Sequence, residues 1–247
     1  MPNRDRPLID PAPDTVPAEA GVSLGRRSVA EFAGTAALAA VVIGSGIAAE
    51  QLSPGDLGLQ LLENSTASAL GLAVLILAFG PISGAHFNPV VSLADWLGGR
   101  RQHTGLGTRE LGAYAAAQCA GAIVGALLAN AMFDRTPLQI ASHHRVTGGH
   151  LLGEILAAAG LIAVGFAAAR HGRGASAAAV AAYLGSAIWF TSSGSFANPA
   201  LTVGRMLSDS FTGIAPASVP AFAAAQIVGG LAGSSLMTLL YRSAGAD

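Results

Sequence analysis

The chain contains no lysine and a single cysteine, and only 11% of its 247 residues carry a charge. An average soluble domain carries roughly 25%. The lone Cys119 excludes an internal disulfide and any cysteine-built metal site, and in its Ala/Gly-rich surroundings it reads as a small packing residue. With 13 Arg against 14 Asp and Glu, net charge points neither to nucleic acid nor to an acidic substrate. An N-terminal apolar core is also missing: residues 1–25 are rich in Pro and charge, so they are no signal peptide and are expected to form a disordered cytoplasmic arm. His143, His144 and His150 lack the i, i+4 spacing of a helical metal site and read as a solvated loop. Nothing in the sequence calls for a metal or a cofactor.

What is abundant is apolar sequence. A bilayer core of about 30 Å takes about 20 residues of helix, and six stretches approach that, near 28–49, 66–82, 109–132, 150–170, 176–192 and 217–240. The polar run "EQLSPGDLGLQLLENS" is expected to be a long loop between the first two. Two further apolar segments, 89–97 and 199–207, each open on a proline, which suits the first helical turn. They are too short to cross a bilayer and are expected to be re-entrant half-helices. Placing the N terminus inside puts ten arginines on the cytoplasmic side and leaves Arg135, Arg145 and Arg205 outside, in keeping with the positive-inside rule. Both termini are therefore expected in the cytoplasm of a multi-pass protein of the plasma (inner) membrane.

The chain also repeats itself. "AYAAAQCAGAIVGALL" and "AFAAAQIVGGLAGSSL" align Gln118 with Gln226, Gly121 with Gly229 and Gly125 with Gly233. "FNPV" at Phe87 to Val90 returns as "ANPA" at Ala197 to Ala200, and Glu31 in the first span has a counterpart in Glu154 of the fourth. Three spans per copy force the halves into opposite orientations, so the repeats 26–132 and 150–243 form one inverted-repeat domain over 26–243. The paired glycines let helix backbones approach closely. A carboxyl inside a span needs partners, and Glu31 and Glu154 are expected to accept from the irregular backbone leading into each half-helix. Opposed half-helices would present two positive N-terminal dipoles to a midplane lumen, with Asn88 and Asn198 turning amide donors toward it and repelling cations.

"SGAHFNPV" and "SGSFANPA", the inverted repeat, the glutamates and Gln118 resemble the aquaporin and aquaglyceroporin family, also called major intrinsic proteins. The likeness runs over nearly the whole chain. It implies an all-α membrane protein, a right-handed bundle of six transmembrane helices and two half-helices carrying Asn88, Pro89, Val90 and Asn198, Pro199, Ala200. It also implies passive conduction of water and small uncharged solutes, and a homotetramer with one pore per protomer, lying in lipid and binding no nucleic acid. The first motif ends in Val90 where the family usually has Ala, which places a bulkier side chain where the half-helices meet. After the second motif stands Leu201 where most members have Arg, and Arg205 follows four residues on, placed to line the outer vestibule.

Gapless spacing from the two asparagines carries the remaining family filter positions to Ser68, Ser186 and Ser195, with Leu70 also permitted on the second span. His86 takes the position whose carbonyl usually lines the cytoplasmic half of the pore, and its ring is a candidate pH-sensitive element. Small serines with Leu201 imply a wider, less charged constriction than a strict water filter, suited to glycerol, urea or neutral metalloid hydroxides such as arsenous acid. The phrase "WFTSSGSFANPALTVGR" is similar to bacterial members associated with arsenic handling. A secondary transporter is the competing reading, since it shares inverted repeats and broken helices. An enzyme is disfavoured because no span carries a nucleophile with a base at workable spacing.

Overall fold

The structure, a computed structural model, describes residues 21–102 and 104–241. The expected N-terminal arm lies outside these residues up to position 20. Ser23 caps the first helix by accepting from Arg26 N–H, and α1 runs Leu24–Leu52. α2 follows after a four-residue turn, Leu57–Ser83, with the Asp56 carboxylate accepting from Leu59 N–H at 2.9 Å.

The long loop expected between the first two spans is therefore mostly helix. Gln51 and Asp56 stay exposed at the turn, but several of its other polar residues are paired inside the bundle. Asn64 Nδ2 donates to Val42 O and Ser45 Oγ, both at 2.8 Å, Gln60 Nε2 donates to Ser53 O, and Ser53 Oγ donates to Glu63. A polar run can thus stay helical across a membrane when neighbouring helices supply its partners.

α3 (Pro89–Gln102) overshoots the expected half-span. α4 (Thr108–Met132), α5 (Gly148–Ala169) and α6 (Arg173–Phe190) follow. α7 (Pro199–Arg205) stops short of residue 207, because Met206 and Leu207 turn their carbonyls to Ala141 and Gln139 N–H of the loop between α4 and α5. A short 3-10 turn, Pro216–Ser218, leads into α8 (Val219–Leu240). Among the described residues, five helices are long and apolar enough to cross a membrane. α6, 18 residues opening on Arg173 and rich in alanine, does not reach that hydropathy by itself but packs as the sixth member of the bundle.

Two helix pairs form the body, α1 on α4 and α5 on α8, and α2 meets α6 between the halves. The paired glycines explain the closeness of the two main contacts. A Cβ at Gly121 or Gly125 would strike the carbonyl oxygens of Phe32 and Ala36, and one at Gly229 or Gly233 those of Ile155 and Ala159. In lipid, where burying apolar surface gives no advantage, such backbone proximity is what dispersion forces need. The halves also interlock. α3 from the first copy rests on α8 of the second, while α7 from the second rests on α4 of the first.

Candidate pore centre and outer mouth

Each half-helix is reached through a loop in which alternate non-glycine residues adopt left-handed backbone: Ala85 (φ 53°) and Phe87 (51°) in one, Ser195 (44°) and Ala197 (46°) in the other. Left-handed backbone costs an L-residue roughly 1–2 kcal/mol, so something must hold these loops. Both glutamates do. Glu31, fully buried, accepts from Ser83 Oγ (2.6 Å), His86 N–H (3.0 Å), Phe87 N–H (2.7 Å) and Gln118 Nε2 (2.8 Å). Glu154, also fully buried, accepts from Phe196 N–H (2.9 Å), Ala197 N–H (2.8 Å) and Gln226 Nε2 (2.6 Å). Every neighbour is a donor, which is the surrounding a carboxylate accepts best. Gln118 and Gln226 tie the carboxylates onward to Ser92 Oγ (3.0 Å) and Thr202 Oγ1 (2.9 Å). Those two hydroxyls were missed in the sequence, although each stands four residues after its asparagine.

The half-helices meet through the asparagines. Asn88 Nδ2 donates to Ala197 O at 2.7 Å, and Asn198 Nδ2 donates to Phe87 O at 2.8 Å, so each amide braces the loop of the other copy. The amide oxygens cap their own helices: Asn88 Oδ1 accepts from Val90 N–H, and Asn198 Oδ1 from Ala200 and Leu201 N–H. An amide nitrogen has two hydrogens, and this brace uses one of them.

Val90 is buried, and one of its methyl groups packs against α8. Its Cγ1 occupies the space a Cβ at Gly230 of α8 would need, with Ile162 of α5 bordering the same spot. Gly230→Ala is therefore expected to cost about 1–3 kcal/mol by overpacking, because a β-branched neighbour cannot swing clear. Val90→Ala should relieve it, so a double-mutant cycle read by thermal unfolding in detergent should show the pair destabilised by less than the sum of the singles. Strict additivity would mean that the two side chains do not compete.

Leu201 is 7% exposed and packs in an apolar cluster with Leu38, Leu72 and Ile76, bordered by Leu184 and Val180 of α6. Ser68 lies one turn from Leu72, fully buried, whereas the alternative Leu70 is 65% exposed on the opposite side of α2. Ser195 is buried. The hydroxyls of Ser68 and Ser195 have no hydrogen-bond partner. Ser186 does not join them. It is exposed on the outer side of α6, in a groove with Trp189 and Leu70, and its hydroxyl donates to Tyr183 O at 2.9 Å. That intrahelical bond is what lets a serine face outward, so Leu184 and Ile188 take the inner side of α6 instead.

At the C-terminal end of α7, Arg205 is 8% exposed, Nε donating to Thr212 O at 2.5 Å and the guanidinium 3.3 Å from the Phe196 ring centroid. Arg145, in the loop before α5, reaches the same ring at 5.3 Å and donates to Gly213 O (2.7 Å) and Phe211 O (2.9 Å). Burial pushes the Arg145 guanidinium below the usual arginine value. His150 Nδ1 bonds Arg145 O at 2.7 Å, and among the described residues no cluster of His, Cys, Asp and Glu is placed to hold a metal. On the other side of the pore centre, the His86 ring pairs through Nδ1 with Ser92 Oγ at 3.1 Å and lies edge-on to Tyr114.

Asp209 clasps the loop between α4 and α5 by accepting from Ser142 N–H (2.9 Å) and Oγ (3.0 Å), and the backbone bond holds its carboxyl below the usual aspartate value. A depressed acid stabilises above its unfolded pKa and loses that contribution as pH falls through the folded one. Protection of the Ser142 amide from hydrogen exchange should therefore begin to fall below about pH 4, the ordinary aspartate value, and should be lost in Asp209→Asn at every pH. Protection unchanged by acid would place the clasp elsewhere.

Residues 20–192 match the sequence model of the family described as major intrinsic protein, a span that includes the first Asn-Pro motif and ends before the second. The chain is 43% identical over 221 residues to the aquaglyceroporin AqpS of Rhizobium meliloti, covering 90% of this chain and 92% of that protein. It is 33% identical over 128 residues to the glycerol uptake facilitator protein of Pseudomonas aeruginosa, covering 51% of this chain and 43% of that one. Among solved structures, the aquaglyceroporin from Plasmodium falciparum superposes with a TM-score of 0.64 at 20% identity, covering 90% of this chain and 97% of that one.

Proposed function

The chain belongs to the major intrinsic protein family and is a multi-pass membrane channel for water and small solutes such as glycerol, and we propose that its pore is of the wide, uncharged-filter type. It is a passive conductor, not an enzyme. The observation that carries the wide-filter reading is Leu201: the position after the second motif holds an aliphatic side chain within an apolar cluster, with no charge at that level. The unpartnered hydroxyls of Ser68 and Ser195 support it, because a buried hydroxyl without a protein partner is costly and a passing solute or water would satisfy it. Leu201, Ser68 and Ser195 then form the constriction, with an α6 residue of the Leu184 and Ile188 face in place of Ser186. The remaining amide hydrogens of Asn88 and Asn198 donate to the solute at the centre.

The solutes this pore fits are uncharged and larger than water: glycerol, urea and neutral metalloid hydroxides such as arsenous acid. The protein works as a homotetramer in the plasma (inner) membrane with both termini in the cytoplasm, as the arginine distribution favours. Proton coupling has no support, because the carboxylates of Glu31 and Glu154 are both occupied by backbone and glutamine donors.

Stopped-flow light scattering on proteoliposomes tests the solute range. Water, glycerol, urea and arsenous acid should all cross faster than in protein-free vesicles, with rates linear in concentration and independent of a proton gradient. Conduction of water alone would sink the wide-filter reading.

A further inference from the structure

We propose that Arg145 and Arg205, stacked against Phe196, add a charge-selective element to that of the half-helix dipoles, a fixed positive pair at the outer mouth standing in for the charge that position 201 lacks. This deepens the channel reading and rests on it. Arg205 is four residues after Leu201 and so lies on the same face of α7, one turn further out. Its guanidinium is held by the Thr212 carbonyl and by the Phe196 ring. Arg145 arrives from a different part of the chain and is fixed by two further carbonyls, Gly213 and Phe211. Four anchors, all neutral, thus position two cations. Among the described residues neither guanidinium is within salt-bridge distance of a carboxylate, and the ion pairs that do form are Arg27 with Glu110 and Arg135 with Glu50. Glu154 lies behind Phe196, but its oxygens are taken up by Phe196 N–H, Ala197 N–H and Gln226. Of the other charges in this region, Arg135 is paired with Glu50, and Asp209 is bound to Ser142, so Arg145 and Arg205 are the guanidiniums here held by neutral anchors alone.

Partly buried charge is screened weakly, and at an effective dielectric near 20 one unit charge about 10 Å from a passing cation changes its occupancy by roughly tenfold. Charge discrimination is thereby separated from size discrimination. The Leu201 level can stay wide while cations are turned away one turn earlier.

The test compares guanidinium, a permanent small cation, with glycerol in proteoliposomes containing the full chain. In the wild type the guanidinium-to-glycerol flux ratio should be near the protein-free background. Arg145→Gln/Arg205→Gln should raise that ratio by about tenfold or more, and Arg145→Lys/Arg205→Lys, which keeps the charge, should raise it far less. Glycerol flux reports that a variant is a working channel, and its loss in the wild type would count against the channel reading rather than this one. A double glutamine variant that conducts glycerol with an unchanged ratio overturns the proposal. If the double variant does not fold, Arg145→Gln alone, altered only in the outer loop, must show a rise of several fold, and no rise there overturns the proposal equally.

Discussion

Leucine at position 154 is expected to destabilise the fold by roughly 3–9 kcal/mol and to abolish glycerol flux. The estimate follows from the donors the substitution strands. Phe196 N–H, Ala197 N–H and Gln226 Nε2 all point at the Glu154 carboxylate inside a site with no water-facing surface, and each orphaned buried donor costs about 1–3 kcal/mol. Net stabilities of 5–15 kcal/mol are usual for a protein, so the loss is comparable to the whole. It also falls where the backbone is strained, at Ser195 and Ala197, whose left-handed conformations rely on those bonds. Glutamine should recover part of the loss, since its amide oxygen can serve one side of the loop while its NH2 faces donors on the other. Glu31→Leu strands four donors and should behave in the same way. Thermal unfolding in detergent, together with glycerol flux per reconstituted protein, reads both. A Glu154→Leu protein unfolding within a few degrees of wild type would mean that the loop is held by something other than this carboxylate.

Arginine at position 201 is expected to lower glycerol flux by at least about tenfold while reducing water flux by less. A tenfold change in rate corresponds to about 1.4 kcal/mol of barrier, a modest demand on a residue that lengthens the side chain and adds a charge at the narrow level. Leu201 now shares its surroundings with Leu72, Ile76 and Leu184, none of which can accept a hydrogen bond from a guanidinium. The new side chain must extend into the lumen or toward carbonyls of the loops, and either path narrows the opening for a solute wider than water. Stopped-flow rates for both solutes, taken on protein that elutes as a single species in detergent, give the ratio. Equal loss of both fluxes, or no loss of either, would mean that position 201 does not set the size limit.

Much of this architecture was legible in the sequence. Its low charge, six long apolar stretches and duplicated Asn-Pro pairs led to an inverted-repeat bundle, and the matched glutamates, glutamines and glycines are the residues that hold it together. Each is a local or repeated signal: a length set by bilayer thickness, a proline opening a helix, a carboxyl too costly to leave unpartnered in a membrane.

What the sequence could not specify were faces and long-range encounters. In a soluble helix the apolar stripe tells which side is inside, but in a bilayer both sides are apolar, and Ser186 was assigned inward when it faces outward beside Trp189. Residues 50–65 read as a loop because the partners that make Asn64 tolerable in a helix, Val42 and Ser45, sit on α1 across the turn and meet it only once the two helices are packed. Gly230 gave no hint that it exists to receive Val90, and Arg145 gave none that it meets Arg205 across a phenylalanine. The sequence alone pointed to a channel and to Asn88 and Asn198 as the pair at which its two copies meet. Only the tertiary structure decided that Arg145 and Arg205 share the Phe196 ring, because Arg145 comes from a loop more than fifty residues away in the chain and no local pattern encodes that meeting.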